Sequence, residues 1–324
     1  MTQLNSTPVA RVRDLHDLLG VIPHLLGFHP KESLVLLVVV HGRVELTARA
    51  DLTDLRPEGH LELLIDRLLL RWPAAGVWMV GYAGHEGDGW QLLERARGHL
   101  GDALSGDPIC VTGDRYRLGG ADGPEFAHDP ASTPSAAAAT FHGLQARGSR
   151  ADLANGLRAD PATAASCEAA WLAARRRLES VGRQTLADEL TGCIAAALAD
   201  PSVLDGADLA WLGLLAHDPE ARDAAVLSLE QECAESWVEL WIRVVRACPF
   251  GTQDQPLAIL ALAAWVSGNG ALASVCLEEL DSLGARPGLK AMLEEINEAI
   301  VPPSQWDALR LELRQSVEQA RQHG

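Results

Sequence analysis

The stretch PHLLGFHPKESLVLLVVV, residues 23–40, constrains this chain more than any other. It joins an amphipathic lead-in, a Gly-Phe-His-Pro turn and an unbroken apolar run over residues 34–40. Seven residues are far too few to span a bilayer. The run is also too short and too β-branched for a helix, and its continuous apolarity predicts a strand buried on both faces. His41-Gly42 then reads as a tight turn into a second strand over 43–52. There Val44, Leu46, Ala48 and Ala50 alternate with Glu45, Thr47, Arg49 and Asp51, which predicts one polar face. A helix over 11–26 precedes the turn, interrupted at Pro23 and stopped by Gly27.

The pattern continues as a helix over 59–71, with Leu61, Leu64, Ile65, Leu68 and Leu69 on one side, and a strand over 77–82. A helix over 90–100, a strand over 108–112 and a hairpin continuation over 114–118 follow. This order predicts an α/β N-terminal domain with a small mixed sheet, residues 1–118. Residues 119–135 hold three glycines and three prolines without periodicity and read as a linker or long loop. A larger all-α helical domain is expected over 136–324. Its helices read as 135–145, 149–157, 161–180, 184–198, 204–216, 219–233, 236–247, 256–266, 271–283, 288–299 and 303–322. Residues 264–290 have the rhythm of a tetratricopeptide-type hairpin around Gly268-Asn269-Gly270. With no second copy, they read as one helical hairpin in a bundle.

Charge narrows the function classes. With 27 basic and 44 acidic residues the net charge is −17, which disfavours nucleic acid and anionic lipid. Lys31 and Lys290 are the only lysines, and neither sits in a phosphate-binding G-x-x-x-x-G-K motif. The six cysteines form no C-x-x-C pair and suit a reduced cytoplasm. The first fifteen residues lack the apolar core of a secretion signal, so a soluble cytoplasmic protein is expected.

Residues 81–89 place four glycines between a strand and a helix, but their G-x-x-G-x-x-G-x-G spacing departs from the dinucleotide fingerprint. Glu86 and Asp88 oppose an anion there, and Asp88 instead reads as the cap of a helix opening near Trp90. No cofactor is expected. Ser33 lies four residues from His29, yet it precedes its strand where a nucleophile elbow would follow one, so a turn role competes with catalysis. His24, His29 and His41 flank one strand without metal-ligand spacing, and no metal is expected.

Arg49 and Asp51 share the polar face at a strand end, where a binding role competes with a surface ion pair. Arg175-Arg176-Arg177 reads as a solvated face paired with Glu168 or Glu179. Asp218 reads as a helix cap, with Arg222 and Asp223 either structural or lining a groove. Trp265 is a core anchor or a stacking platform.

LLGFHPKESLVLL, ARADL, GLQARGSRADL (143–153), AHDPEARDAAVLSL (216–229) and LALAAWVSGNGALASVCLEELDSLGARPGLKAMLEEI (260–296) together resemble the actinobacterial DUF4192 family. The blocks run in the same order over nearly the whole chain. The resemblance transfers no catalytic residue. It implies a cysteine-rich patch after the fourth strand, but DRYRLGGADGPEF (114–126) has no cysteine, which removes the support for a metal or redox role there. The matched polar and aromatic positions His29, Ser33, Arg49, Asp51, Arg150, Arg222, Asp223 and Trp265 are the candidate binding residues.

Two functions are expected. The first is a non-enzymatic binding or scaffold module, whose Ala- and Leu-lined helical domain takes a protein partner or a second copy. The second is a small-molecule hydrolase or transferase, with a pocket between the sheet and residues 119–135 that uses His29, Arg49, Asp51 or His128. Neither involves nucleic acid or a membrane.

Overall fold

The computed structural model describes residues 12–323 apart from 143, 145, 160, 183 and 184. The expectation for the first residues, and the helix limits drawn at 145 and 184, lie outside the described residues. The chain divides into two compact units, one ending at Arg150 and the other beginning at Ala151.

The first unit is built on a six-stranded sheet of order β2-β1-β3-β4-β5-β6. Its strands are β1 (Ser33–Val40), β2 (Arg43–Asp51), β3 (Gly76–Tyr82), β4 (Ile109–Thr112), β5 (Arg115–Leu118) and β6 (Glu125–Ala127). β3 and β4 run parallel, and every other neighbouring pair is antiparallel. β1 is flanked on both edges, and Leu34, Val35, Leu36, Leu37 and Val38 are each at most 1% exposed. Each such side chain contributes about 1.5–3 kcal/mol of transfer free energy. The β1–β2 turn has φ of 50° at His41 and 76° at Gly42, the paired left-handed residues that a two-residue hairpin needs to match strand twist.

The expected alternation on β2 breaks at one place. A bulge sets Val44 opposite Val39 but Leu46 opposite Val38, so these two residues fall on opposite faces and Val44 is 39% exposed.

Helices cover both faces of the sheet. α1 (Leu15–Leu26), α2 (Leu52–Leu55), α3 (His60–Arg71), α4 (Glu86–Leu100) and α5 (Pro134–Phe141) belong to this unit. α4 packs where β3 and β4 are thinnest. A Cβ on Gly81 would stand 3.2 Å from Leu93, and one on Gly89 would stand 2.8 Å from the sulfur of Cys110. α1 covers the opposite face, His16 meeting the Tyr116 ring edge-on at 5.5 Å. Pro23 does not interrupt α1, which runs on to Leu26 and ends at Gly27 with φ 76°. Three residues from the end, proline forfeits a single hydrogen bond while its fixed φ suits the helix.

Residues 119–135, expected as a linker or long loop, lie within the first unit. They carry β6, whose Tyr116–Phe126 ring stack (5.2 Å) and Arg115–Glu125 and Arg117–Glu125 pairs (2.6 and 3.0 Å) hold it to β5. A short 3-10 turn then leads into α5, which docks on α1. There Ser135 Oγ donates to the Asp17 carbonyl at 2.6 Å and the Asp17 carboxylate accepts from Ser135 N at 3.2 Å. α4 also starts earlier than expected, at Glu86. Asp88 therefore lies inside its first turn, paired with Arg56 at 3.0 Å, and does not cap it.

The second unit is helical: α6 (Arg150–Gly156), α7 (Ala164–Ser180), α8 (Leu186–Ala199), α9 (Gly206–Leu215), α10 (Pro219–Ser228), α11 (Ala234–Ala247), α12 (Asp254–Val266), α13 (Gly270–Ser282), α14 (Leu289–Glu298) and α15 (Trp306–His323). α12 is its axis, buried at every position from Pro256 to Val266 and packed by α11, α13 and α14. Such all-round apolarity marks a helix enclosed by others. Gly268 (φ 82°) and the Asn269 side chain, which accepts from Leu272 N, close the α12–α13 hairpin. The helix expected over 219–233 stops at Ser228, because the Leu229 carbonyl turns to accept from Trp306 Nε1 (2.9 Å) and Arg310 Nη1 (3.0 Å).

Candidate functional site

The sheet topology collects four chain segments at one edge. The start of β1 and the end of β2 lie beside the carboxyl ends of the parallel pair β3 and β4. One cross-strand row there reads Asp51, Ser33, Tyr82, Val111, Tyr116, Phe126. Residues opposite one another share a face, so these side chains all project toward the α1 side.

At the β2 end of the row, Ser33, Arg49 and Asp51 meet in one network. Ser33 Oγ is fully buried, donates to the Lys31 carbonyl at 2.5 Å and accepts from Arg49 Nε at 2.9 Å. The Arg49 guanidinium forks onto Asp51 at 2.8 and 2.6 Å and lies over the Phe28 ring, 5.8 Å from its centroid. Bidentate pairing of this kind fixes geometry as well as charge. The network is closed on itself: the serine oxygen is committed on both sides, and among the described residues no hydrogen bond links it to the His29 ring.

Beside it, a cleft of ≈ 380 Å³ opens at the carboxyl ends of β3 and β4. Ligands of open α/β sheets bind at this position relative to the strands. His29, Tyr82, Val111, His128, Pro23 and Pro130 line it, with Lys31 and Glu32 also in the wall. An adjoining hollow of ≈ 530 Å³ shares His29 and Pro130. Glu32 holds an unusual left-handed φ of 44°. Two bonds fix it there: its carbonyl accepts from Leu52 N at 2.9 Å, and its carboxylate accepts from Gly84 N at 2.6 Å.

Burial shifts the titration of several polar groups that line the cleft. His128 is 7% exposed, and its Nδ1 is buried without a partner. Burial chiefly lowers its pKa, with His16 and His29 adding to the effect and Asp129 opposing it. His29 is lowered first by burial and then by His24 and Lys31. The Tyr82 hydroxyl is likewise buried without a partner, and burial raises its pKa and keeps it protonated.

The family profile described as "Domain of unknown function (DUF4192)" matches residues 16–304. The chain belongs to the DUF4192 family. The DUF4192 match begins in α1 and ends just before α15, so it takes in the cleft and the helical unit alike. No curated protein and no solved structure matches this chain. Among its described residues, no helix is long and apolar enough to cross a membrane.

The remaining candidates of this DUF4192 chain do not join the cleft. Arg150 is the first residue of α6 and belongs to neither hollow's lining. Arg222, Asp223 and Trp265 lie in the second unit. Arg222 donates to its neighbour Asp223 at 3.1 and 2.8 Å and to Gln255 at 3.2 Å, while Asp218 caps α10. Trp265 is 9% exposed, donates from Nε1 to the Val301 carbonyl at 3.1 Å and meets Trp306 edge-on, the geometry of a core anchor. Gln255 and Trp265 stand ten residues apart on α12, about 15 Å along its axis. Arg177 pairs with Glu189 at 2.9 Å and lies over Trp211, in place of the expected Glu168 or Glu179.

His41 sits in the hairpin turn, the length of β1 (roughly 25 Å) from the His29 end. Among the described residues, no group of three or more His, Cys, Asp or Glu side chains is arranged to hold a metal ion. Sequence reasoning missed Tyr82, Tyr116 and His16. One signal was available: the chain has only two tyrosines, and each falls in a strand at this edge.

Proposed function

We propose that this DUF4192 protein is a non-enzymatic binding module whose first unit takes a small molecule in the cleft between His29 and His128. The observation that carries the reading is a buried histidine, His128, lining a cleft at the carboxyl ends of a parallel strand pair, its buried Nδ1 without a hydrogen-bond partner among the described residues. Buried polar groups are nearly always paired, and those left open gather where a ligand supplies the partner. The nucleophiles nearby are occupied or inert. Ser33 Oγ is committed to Lys31 and Arg49, and burial pushes the Cys110 thiol up to about 11. The test is a fragment screen by ligand-observed NMR on the full chain and on its His128→Ala variant. Hits that compete with one another and are lost in the variant support the reading, and hits indifferent to His128 sink it.

A hydrolase or transferase acting in the same cleft is the second reading. Two imidazoles lining one cleft favour it, since a neutral histidine can accept a proton. Turnover of a simple activated ester that vanishes in His128→Ala while fragment binding persists in His29→Ala would select it. The binding reading also gives the second unit a protein partner in the cytoplasm, or a second copy. Phe250, 91% exposed in the turn after α11, supports that role better than the buried Trp265.

A further inference from the structure

The chemistry of the cleft walls narrows what could fill it. Pro23, Pro30, Pro130 and Val111 offer rigid apolar surface, and none of these side chains can hydrogen-bond. The Tyr82 ring adds a flat face, with its hydroxyl buried out of reach of solvent. Polar recognition therefore falls to the two imidazoles, His29 and His128, neither of whose rings is hydrogen-bonded among the described residues. A neutral imidazole presents one donor and one acceptor. The group that answers both is one carrying a carbonyl oxygen and an N–H side by side.

Formal charge finds no welcome in this cleft. Lys31 and Glu32, adjacent and opposite in charge, both line it. An anion would face the Glu32 carboxylate in the wall. A cation would face Lys31. An unpaired ion pressed against the proline and valine surface would lose its hydration with nothing in exchange. The groups around the imidazoles point the same way. His128 is faced by His16 from α1, by Tyr116 from β5, by His29 and by Asp129; His29 is faced by His24 from α1 and by Lys31. Burial, ahead of these neighbours, lowers both imidazole pKa values, and among the neighbours Asp129 opposes the shift at His128.

We infer, resting on the ligand-binding reading above, that the cleft takes an uncharged molecule with a flat ring and an amide-like group, the ring against Tyr82 and the prolines and the amide on His29 and His128. The class includes carboxamides and lactam-type heterocycles. Phosphorylated or carboxylated relatives of the same shape are excluded by the same walls.

Three probes of nearly one shape separate charge from fit: benzamide, benzoate and benzamidine. Each is titrated into the full chain near neutral pH while the histidine ring signals are followed by NMR. Benzamide is expected to shift the His29 and His128 signals saturably, with the two ions weaker by about tenfold or more. His128→Ala and, separately, His29→Ala are each expected to weaken benzamide by about tenfold. The wild-type chain supplies a check independent of any variant's folding: as the pH is lowered until the His29 and His128 ring signals titrate, benzamide affinity must fall. If benzoate or benzamidine shifts the same two histidines as strongly as benzamide, the uncharged-ligand inference is overturned while the cleft stands as a binding site. If none of the three moves either histidine, both are overturned.

Discussion

Replacing Ser33 by alanine separates a structural serine from a catalytic one. The Ser33 hydroxyl makes two hydrogen bonds, to the neutral Lys31 carbonyl and from the charged Arg49 Nε. Deleting it removes about 0.5–1.5 kcal/mol for the first and about 1.5–3 kcal/mol for the second. Arg49 keeps its fork on Asp51, so part of the second contribution is recovered by relaxation, and the net cost is set at about 2 kcal/mol. In an Arg49→Met background only the Lys31 bond remains to be lost, and Ser33→Ala should then cost about 1 kcal/mol, a coupling of about 1 kcal/mol. Urea titration reads this out, followed by fluorine NMR of fluorotyrosine. Tyr82 and Tyr116 are the only tyrosines and both lie in the first unit, so the second unit's unfolding does not contribute. A slope of about 1–3 kcal/mol per molar turns the single-mutant loss into a midpoint shift on the order of 1 M. Benzamide binding should survive, since Ser33 is not in the cleft lining. A variant as stable as the parent, or a strictly additive double mutant, would refute the network. Lost turnover at unchanged stability would make Ser33 a nucleophile.

The first unit should lose stability as pH falls. His29 and His128 titrate below the ordinary 6.5 in the folded state, so the unfolded chain binds more protons in that window. Their contribution is full above about 6.5 and disappears as pH drops through the lowered folded values, and His128→Gln should flatten the melting temperature between about pH 7 and 5. In the second unit, Trp306→Ala should cost about 3–5 kcal/mol, and Trp306→Phe, which keeps most of the volume but loses the bond to the Leu229 carbonyl, about 1 kcal/mol by denaturant melts. Trp265→Ala should destabilise the same unit, contrary to a docking role that leaves the fold intact. Native alkylation followed by mass spectrometry should label Cys167 and Cys233 well before Cys110, Cys248 and Cys276, which are buried with raised pKa values. Early labelling of Cys110 would contradict the packing of Gly89 on its sulfur.

Reading the sequence succeeded where a local pattern carries the physics. The run Leu34 to Val38 could be buried on both faces only as a central strand, and it is; Gly27 and Gly42 take the left-handed conformations their positions demanded. It failed where stabilisation is non-local. β6 is a three-residue edge strand with no apolar alternation, held by charge and ring pairs to β5 that spacing does not reveal. The bulge on β2 arises from pairing with β1 and leaves no mark in the alternation itself. The cleft has the same character. His29 and His128 were named among possible pocket residues, but they stand ninety-nine positions apart by subtraction of their numbers, and only the sheet brings them together. Arg49 and Asp51, named with them, are drawn instead into the Ser33 network one strand away.

The arrangement of this edge follows from counting strand reversals. β3 leaves its carboxyl end at the edge, α4 carries the chain back, and β4, being parallel, ends at the same edge. β1 is antiparallel to β3, so its amino end arrives there too, bringing Lys31 and Glu32. Two further reversals, β4 to β5 and β5 to β6, return the chain to that edge at residue 128, where its N–H bonds to the Asp114 carbonyl at 2.7 Å. The far turn between β5 and β6 is fixed in shape, for a Cβ on Gly123 would stand 1.8 Å from the Leu118 carbonyl oxygen. Phe126 shares the Tyr116 face and His128 follows two residues later, so the strand period of two directs both to the α1 side. One residue inserted between them would turn the imidazole away from the cleft while leaving β5–β6 pairing and burial of Tyr116 intact. The site thus depends on parity along a short edge strand, a property that can be changed without touching any residue in the cleft wall.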